Sequence, residues 1–312
     1  MKSRRFMLII LLVGVTVGCR SEPSAEAARA DAREATGVVY IAGEARPIAI
    51  PVVTFRDREG FDAYLERCAF DDGLLPGRPA PGCETARRYR PRPSQIDGWN
   101  PMSLREEVSQ FVIHYDVCVT SHRCFEVLQD LRGLSVHFML DVDGTLYQSL
   151  DLAERARHAG VANDHSVGIE IAHAGAYPPG KNGWRKRYRR DATGRRWLSI
   201  EEELFPPPDG PFLVAGPDDG TGVINGRRLV QAEFTEAQYR TLEVLTDFLC
   251  REFPRLRRDV PRDATGEVLA HTMSKEELAG YRGILGHFHI SRGKSDPGPA
   301  FRWSRLLRRG PP

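Results

Sequence analysis

Residues 135–150 read SVHFMLDVDGTLYQSL, with apolar runs on both sides of Asp143-Gly144. Asp-Gly between β-forming residues is a strong signal for a two-residue turn, so the stretch predicts a hairpin of two antiparallel strands. Upstream, QFVIHYDV (110–117) is β-branched and aromatic and predicts another strand. A short helix precedes it, with Ser103 and Glu106 at capping-box spacing. SHRCFEVLQDLRG (121–133) has apolar residues at helical spacing and stops at Gly133. Downstream, HSVGIEIAHAG (165–175) predicts a buried strand. FTEAQYRTLEVLTDFLCREF (234–253) predicts a helix, with Thr235 and Gln238 as its capping box and Leu242, Leu245, Phe248 and Leu249 as its apolar face. Ser274 and Glu277 cap a last short helix, and ILGHFHI (284–290) reads as a strand ending in a Pro/Gly-rich loop. Strands interleaved with helices, one pair of them a hairpin, predict a mixed α/β fold: a central mixed β-sheet flanked by helices.

The organisation around that core follows from composition. The 312 residues are 41% hydrophobic and 28% charged, ordinary values for a globular chain. The formal net charge is only +2 and the basic residues are spread along the sequence, which gives no reason to expect a nucleic-acid partner. MKSRRFMLIILLVGVTVGCR has a basic start, an apolar run too short to span a bilayer comfortably, and then Gly18-Cys19. It resembles a bacterial lipoprotein signal. Residues 1–18 are therefore expected to be removed, Cys19 to carry lipid, and 19–37 to form a flexible tether to the membrane. Arg20, in place of an acidic residue, points to an exported, periplasmic protein held at the outer membrane. Residues 38–102 combine short strands with loop and are expected to pack on the main domain, 103–308, as an N-terminal extension. Residues 177–230, rich in Arg, Trp, Pro and Gly, form a long insertion with little regular pattern until GVINGRRLV. The chain is expected to act as a monomer.

Export makes disulfides reasonable. Cys68 and Cys83 would close a turn-rich loop of about 15 residues, worth on the order of 3 kcal/mol. Cys118 and Cys124 would close CVTSHRC, whereas Cys250, on an apolar helix pattern, is expected to remain a free thiol.

His114 lies mid-strand in FVIHYD, with Val112 on its face and with Phe111 and Ile113 on the other. His287 has a similar setting, and Asp296 follows nine positions later in GKSDPG. Two imidazoles and a carboxylate are a three-donor set for zinc. Buried, hydrogen-bonded core histidines are the alternative, since no local motif joins the three.

FVIHYD, SVHFMLDVDGTLYQSLDLAERARHAGVANDHSVGIEI and GHFHISRGKSDPGPAFRW, taken together and in order, resemble the zinc-dependent N-acetylmuramoyl-L-alanine amidases. That family includes the amidase-type phage lysozymes and the peptidoglycan-recognition proteins. The resemblance implies a peptidoglycan-recognition-protein-like fold and zinc held by His114, His287 and Asp296. It implies Glu170 and Lys294 as catalytic residues, and His158, Asn163 and Tyr115 along a groove for peptidoglycan or a muropeptide. The C-x5-C after His114 also looks like a disulfide of peptidoglycan-recognition proteins. The sequence departs from the pattern at Arg157, where relatives often have Trp, and at His289, which on a strand would share a face with His287 and compete as a ligand.

Overall fold

A computed structural model describes residues 36–66, 68–70, 88–200 and 210–307. The expected leader, Cys19 and Cys83 lie outside the described residues. β1 (Gly37–Ile41) and β2 (Glu44–Ile48) form a hairpin. β3 (Val52–Thr54) leaves it to join the main sheet, and β4 (Tyr89–Pro91) follows. Helix α1 (Pro101–Glu107) is capped by Asn100, whose side chain accepts from the backbone N–H groups of Met102 and Ser103. The helix thus starts before the Ser103/Glu106 pair, because Pro101 supplies a first turn that needs no donor.

β5 (Gln110–Tyr115) runs to α2 (Ser121–Glu126), which continues as a wider π turn to Arg132 and ends at left-handed Gly133. β6 (Phe138–Leu140) and β7 (Leu146–Gln148) are the expected antiparallel pair. Their connection is longer than two residues: pairing closes at Leu140 and Leu146, and Asp141 N–H reaches the Thr145 carbonyl. β8 (Glu154–Ala156) pairs with β4, and β9 (Ser166–Ile171) enters the sheet. The central sheet has six strands, in the order β16-β5-β9-β6-β7-β3, where β16 is Gly283–Gly286. β16, β5, β9 and β6 run parallel, while β7 and β3 run opposite to them. This is a mixed α/β architecture with a central mixed sheet.

Alternation along the strands divides the two faces. Phe111, Ile113, Val167, Ile169, Phe138, Leu140 and Ile284 share one core with Leu242, Leu245, Phe248 and Leu249 of α3 (Glu236–Glu252). Each of these side chains contributes about 1.5–3 kcal/mol when fully buried, so this helix–sheet contact is the main stabilising layer. The Thr235–Gln238 capping box is present in both directions. Val112 and Leu285 face the other side with Ala159, Ala162 and Leu278, the last from α4 (Lys275–Gly280), which is capped by Ser274 and Glu277.

The insertion is more regular than its composition predicts. β10 (Ala176–Tyr177), β11 (Tyr188–Arg190), β12 (Arg196–Leu198), β13 (Phe212–Leu213), β14 (Gly220–Ile224) and β15 (Arg227–Gln231) build two three-stranded sheets, with a tight turn at Asn225-Gly226 between the last two. Arg cation–π contacts with Tyr188, Trp184 and Trp197, and Asp219 pairing with Arg185 and Arg196, turn the residues that obscure the pattern into its packing. Two helical turns, α5 (His287–Ile290) and α6 (Trp303–Leu307), finish the chain. Ala35–Pro312 is one compact unit, with the 38–102 segment inside it.

Candidate active site

The site forms where three parallel strands end side by side. β5 and β9 pair with His114 opposite Glu170, and β16 and β5 pair with Gly286 opposite Ile113, so that His287 comes next to His114. Open α/β sheets bind ligands beyond the carboxyl ends of their strands. His114 Nδ1 lies 2.9 Å from His287 Nδ1 and 3.0 Å from Asp296 Oδ2, and His287 Nδ1 is 3.0 Å from the same oxygen. All three residues are buried. A tetrahedral ion with bonds near 2.0–2.1 Å has donor–donor edges of about 3.3 Å, so this triangle is close to the size a small divalent cation requires.

The protonation states agree with that use. Burial, and then the neighbouring His287, lowers the His114 imidazolium to about 4, which leaves the imidazole neutral. Burial acts to raise Asp296, but hydrogen bonds from the two histidines override it and hold the carboxylate well below its ordinary range. Neutral imidazole and ionised carboxylate are the forms that ligate. Among the described residues no other group of three or more His, Cys, Asp or Glu side chains converges in this way.

Asp296 comes from a loop held from three directions. Tyr115 Oη and Ser295 Oγ are 2.7 Å apart. Asn225 and Arg227 donate to the Lys294 carbonyl from the β14–β15 hairpin. Buried Gln231 donates to the Pro297 carbonyl and accepts from Ala300 N–H. Gly298 is essential to this grip. It has φ +91°, and a Cβ there would sit 2.1 Å from Gln231 Oε1.

A cleft of about 710 Å³ opens over the triangle, lined by Glu170, Tyr115, His158, Lys294 and the basic residues Arg123, Arg132, Arg157 and Arg187. Glu170 Oε2 is buried without a hydrogen-bond partner. Burial, then Asp296, pushes its carboxyl well above the usual range, opposed by Lys294 and Arg132. Lys294 is exposed at the rim.

Some expected residues have other roles. His289 does not share a side with His287, because the chain turns helical at Gly286 and residues two apart on a helix diverge. Its Nδ1 accepts from Gly286 N–H, and its Nε2 donates to the Leu269 carbonyl. Asn163 does not line the cleft; it is buried, and its Oδ1 accepts from the His158 and Ala159 backbone N–H groups. Cys118 and Cys124 are free thiols that hydrogen-bond to each other, not a disulfide. Asp116, accepting from Cys118 and Val119 N–H, and the Thr120 cap of α2 already close that turn without a covalent link. Cys250 is free, and Cys68 is disulfide-bonded. Ser166, Asn225, Arg227 and Gln231 carry no chemical signature in the sequence, and only the fold brings them to the site.

Comparison with known proteins follows the same residues. Residues 104–299 match the family model described as N-acetylmuramoyl-L-alanine amidase. No curated protein matches the chain. Similar solved structures include a selenomethionine derivative of AmpD, at 19% identity over 71% of this chain and 89% of that one, with a TM-score of 0.34. Another is the N-acetylmuramyl-L-alanine amidase AmiD from E. coli with the substrate anhydro-N-acetylmuramic acid-L-Ala-D-gamma-Glu-L-Lys, at 18% identity over 64% of this chain, with a TM-score of 0.37. A third is AmpDh3 from Pseudomonas aeruginosa in complex with anhydromuramic pentapeptide, at 18% identity over 64% of this chain, with a TM-score of 0.34. This chain spans 56% of the AmiD chain and 58% of the AmpDh3 chain. The family model runs from α1 through the loop that carries Asp296, more than half of the sequence, and the chain belongs to the N-acetylmuramoyl-L-alanine amidase family.

Proposed function

We propose that this protein hydrolyses the amide between the lactyl group of N-acetylmuramic acid and L-alanine, in peptidoglycan or its muropeptide fragments, with Zn²⁺ held by His114, His287 and Asp296. The observation that carries the proposal is the donor triangle together with the partnerless Glu170 Oε2 on the neighbouring strand. Bound Zn²⁺ supplies Lewis acidity, polarising a carbonyl and lowering the pKa of water. Glu170, whose proton affinity is raised by burial, accepts the proton of the attacking water and returns it to the leaving amine of L-alanine. Lys294 at the cleft edge places a positive charge near the carbonyl oxygen as it becomes anionic. The arginines at the cleft suit a substrate rich in carboxylates. Export, lipidation at Cys19 and outer-membrane attachment belong to the proposal on the strength of the leader alone.

The test is digestion of purified peptidoglycan and muropeptides by the zinc-loaded protein, with products read by mass spectrometry. Release of intact stem peptides is expected. Glu170→Gln is expected to keep one zinc per chain and to lose about 10²–10⁴ of the turnover. Full activity in that variant would remove the general-base role. No stem-peptide release by the parent protein would reduce the site to binding.

A further inference from the structure

His114 has two ring nitrogens, and only Nδ1 belongs to the donor triangle. Its Nε2 lies 3.0 Å from Nδ1 of His158, with the rings nearly perpendicular at 84°. The far nitrogen of His158, Nε2, is in turn 3.2 Å from Ser166 Oγ. Both His158 nitrogens are therefore engaged behind the metal ligand, on the side away from the donor triangle. The space is closely fitted. A Cβ on Gly168 would fall 2.5 Å from His158 Cε1 and Nδ1, so the sheet leaves out a side chain where this ring lies. Behind it stands His137, at 5.8 Å between ring centroids, pinned by Gly168 N–H at Nδ1 and by the Glu154 carbonyl at Nε2.

Hydrogen-bond bookkeeping gives this row a direction. When His114 offers the Nδ1 lone pair to a cation, its one proton is on Nε2 and is donated to His158 Nδ1. His158 then carries its own proton on Nε2 and donates it to Ser166 Oγ. Metal-bound histidines are commonly steadied through the other nitrogen by a carboxylate or carbonyl. Here that acceptor is a neutral imidazole.

We infer that His158 is a positioning residue for the metal ligand His114, fixing its tautomer and ring orientation through the Nε2–H···Nδ1 bond, with Ser166 completing the row. This role rests on the zinc reading above and gives His158, which also borders the cleft, a task beyond the substrate contact that the motif resemblance implies.

Zn²⁺ affinity, measured by competition with a chromophoric chelator, tests the inference without substrate. His158→Leu fills the space but has no acceptor, and it is expected to weaken Zn²⁺ binding by about 10- to 100-fold. His158→Asn, whose Oδ1 can take the place of the imidazole Nδ1, is expected to recover most of the loss. If Leu binds Zn²⁺ as tightly as the parent, or if Leu and Asn weaken it equally, the inference fails. A role in the substrate groove would instead raise KM in both variants with zinc affinity unchanged, and that result also overturns it. Nitrogen-15 spectra of the unsubstituted zinc-loaded protein give a readout free of folding effects: the His114 proton is expected on Nε2 and the His158 proton on Nε2. A proton on His158 Nδ1 sinks the inference. Failure of the unsubstituted protein to bind more Zn²⁺ than His114→Ala would instead refute the zinc reading itself, so the two failures are distinguishable.

Discussion

Gly168 shows how a single absent side chain shapes the site. Its N–H donates to His137 and its missing Cβ makes room for the His158 ring, so two histidines depend on it at once. Gly168→Ala forces a Cβ against the half-buried His158 ring, whose two nitrogens are both engaged, an overpacking cost of about 1–3 kcal/mol. At about 2–4 °C per kcal/mol for a chain of this size, the thermal midpoint is expected to fall by roughly 2–12 °C. Gly183→Ala, where a Cβ meets nothing within 4 Å, serves as the control and is expected to leave the midpoint nearly unchanged. Equal midpoints for the two variants would show that the ring yields freely. At this scale, the sequence discloses residues whose chemistry is unusual for their setting: an imidazole within a strand at 114, another just past a strand at 287, and a carboxylate on a buried strand at 170. It places Ser166 and Gly168 in the motif that ends at Glu170 but does not disclose their parts, which are a matter of shape and of a partner on another segment.

The β14–β15 hairpin holds the ligand loop in place. Asn225, Arg227 and Gln231 all bond to backbone between Gly293 and Ala300, the stretch that carries Asp296. Part of the 177–230 insertion therefore holds the loop that carries Asp296. Gln231→Ala leaves the Pro297 carbonyl and Ala300 N–H without their buried partner, a cost of about 1–3 kcal/mol for each group left unsatisfied. The loop is expected to loosen and Zn²⁺ affinity to fall by about tenfold or more, read by the same chelator competition, while Glu170 is left untouched. Unchanged affinity would mean that Tyr115–Ser295 and the Asn225 and Arg227 contacts suffice. Most elements were legible because their signals are local: the Thr235 and Ser274 caps, the Gly133 stop, the apolar face of α3 and the β-branched runs of β5 and β9. The errors have different causes. His289 follows a strand pattern that a turn interrupts at Gly286, and a distant acceptor, the Leu269 carbonyl, holds its ring. The other two are local: Asn100 and Pro101 start α1 upstream of the expected cap, and Asp116 and Thr120 close the turn in which Cys118 and Cys124 stay thiols. In the sequence a regular pattern returned at GVINGRRLV, but neither the hairpin nor its partner some 65 residues onward was visible.

At the scale of the molecule, the family match begins at residue 104, yet the fold does not. β3 completes the central sheet by parallel pairing with β7, and β4 covers β8. Arg92 is fully buried, with its guanidinium donating to the carbonyls of Leu152, Asn163, Asp164 and Ser166 and lying 3.1 Å from His137 Nε2. Burial lowers its pKa to about 10, partly offset by Glu107 and Asp164, so it remains charged at neutral pH. Those four carbonyls bound the segment that carries His158, so Arg92, from the 38–102 region, stands behind that segment. Four buried carbonyls without a donor, at about 1–3 kcal/mol each, together rival the 5–15 kcal/mol by which a domain is typically stable. A chain beginning at Ser103, where the family pattern alone would place the start, is therefore expected to lose its cooperative thermal transition and its stoichiometric Zn²⁺. Full-length Arg92→Met gives the graded version: it keeps β3 and β4 but removes the donors, and its midpoint is expected to fall below that of Gly168→Ala. A cooperative transition at the parent's midpoint from residues 103–312 alone would show that the amidase region folds without its extension, and that the segment carrying His158 does not need Arg92 behind it.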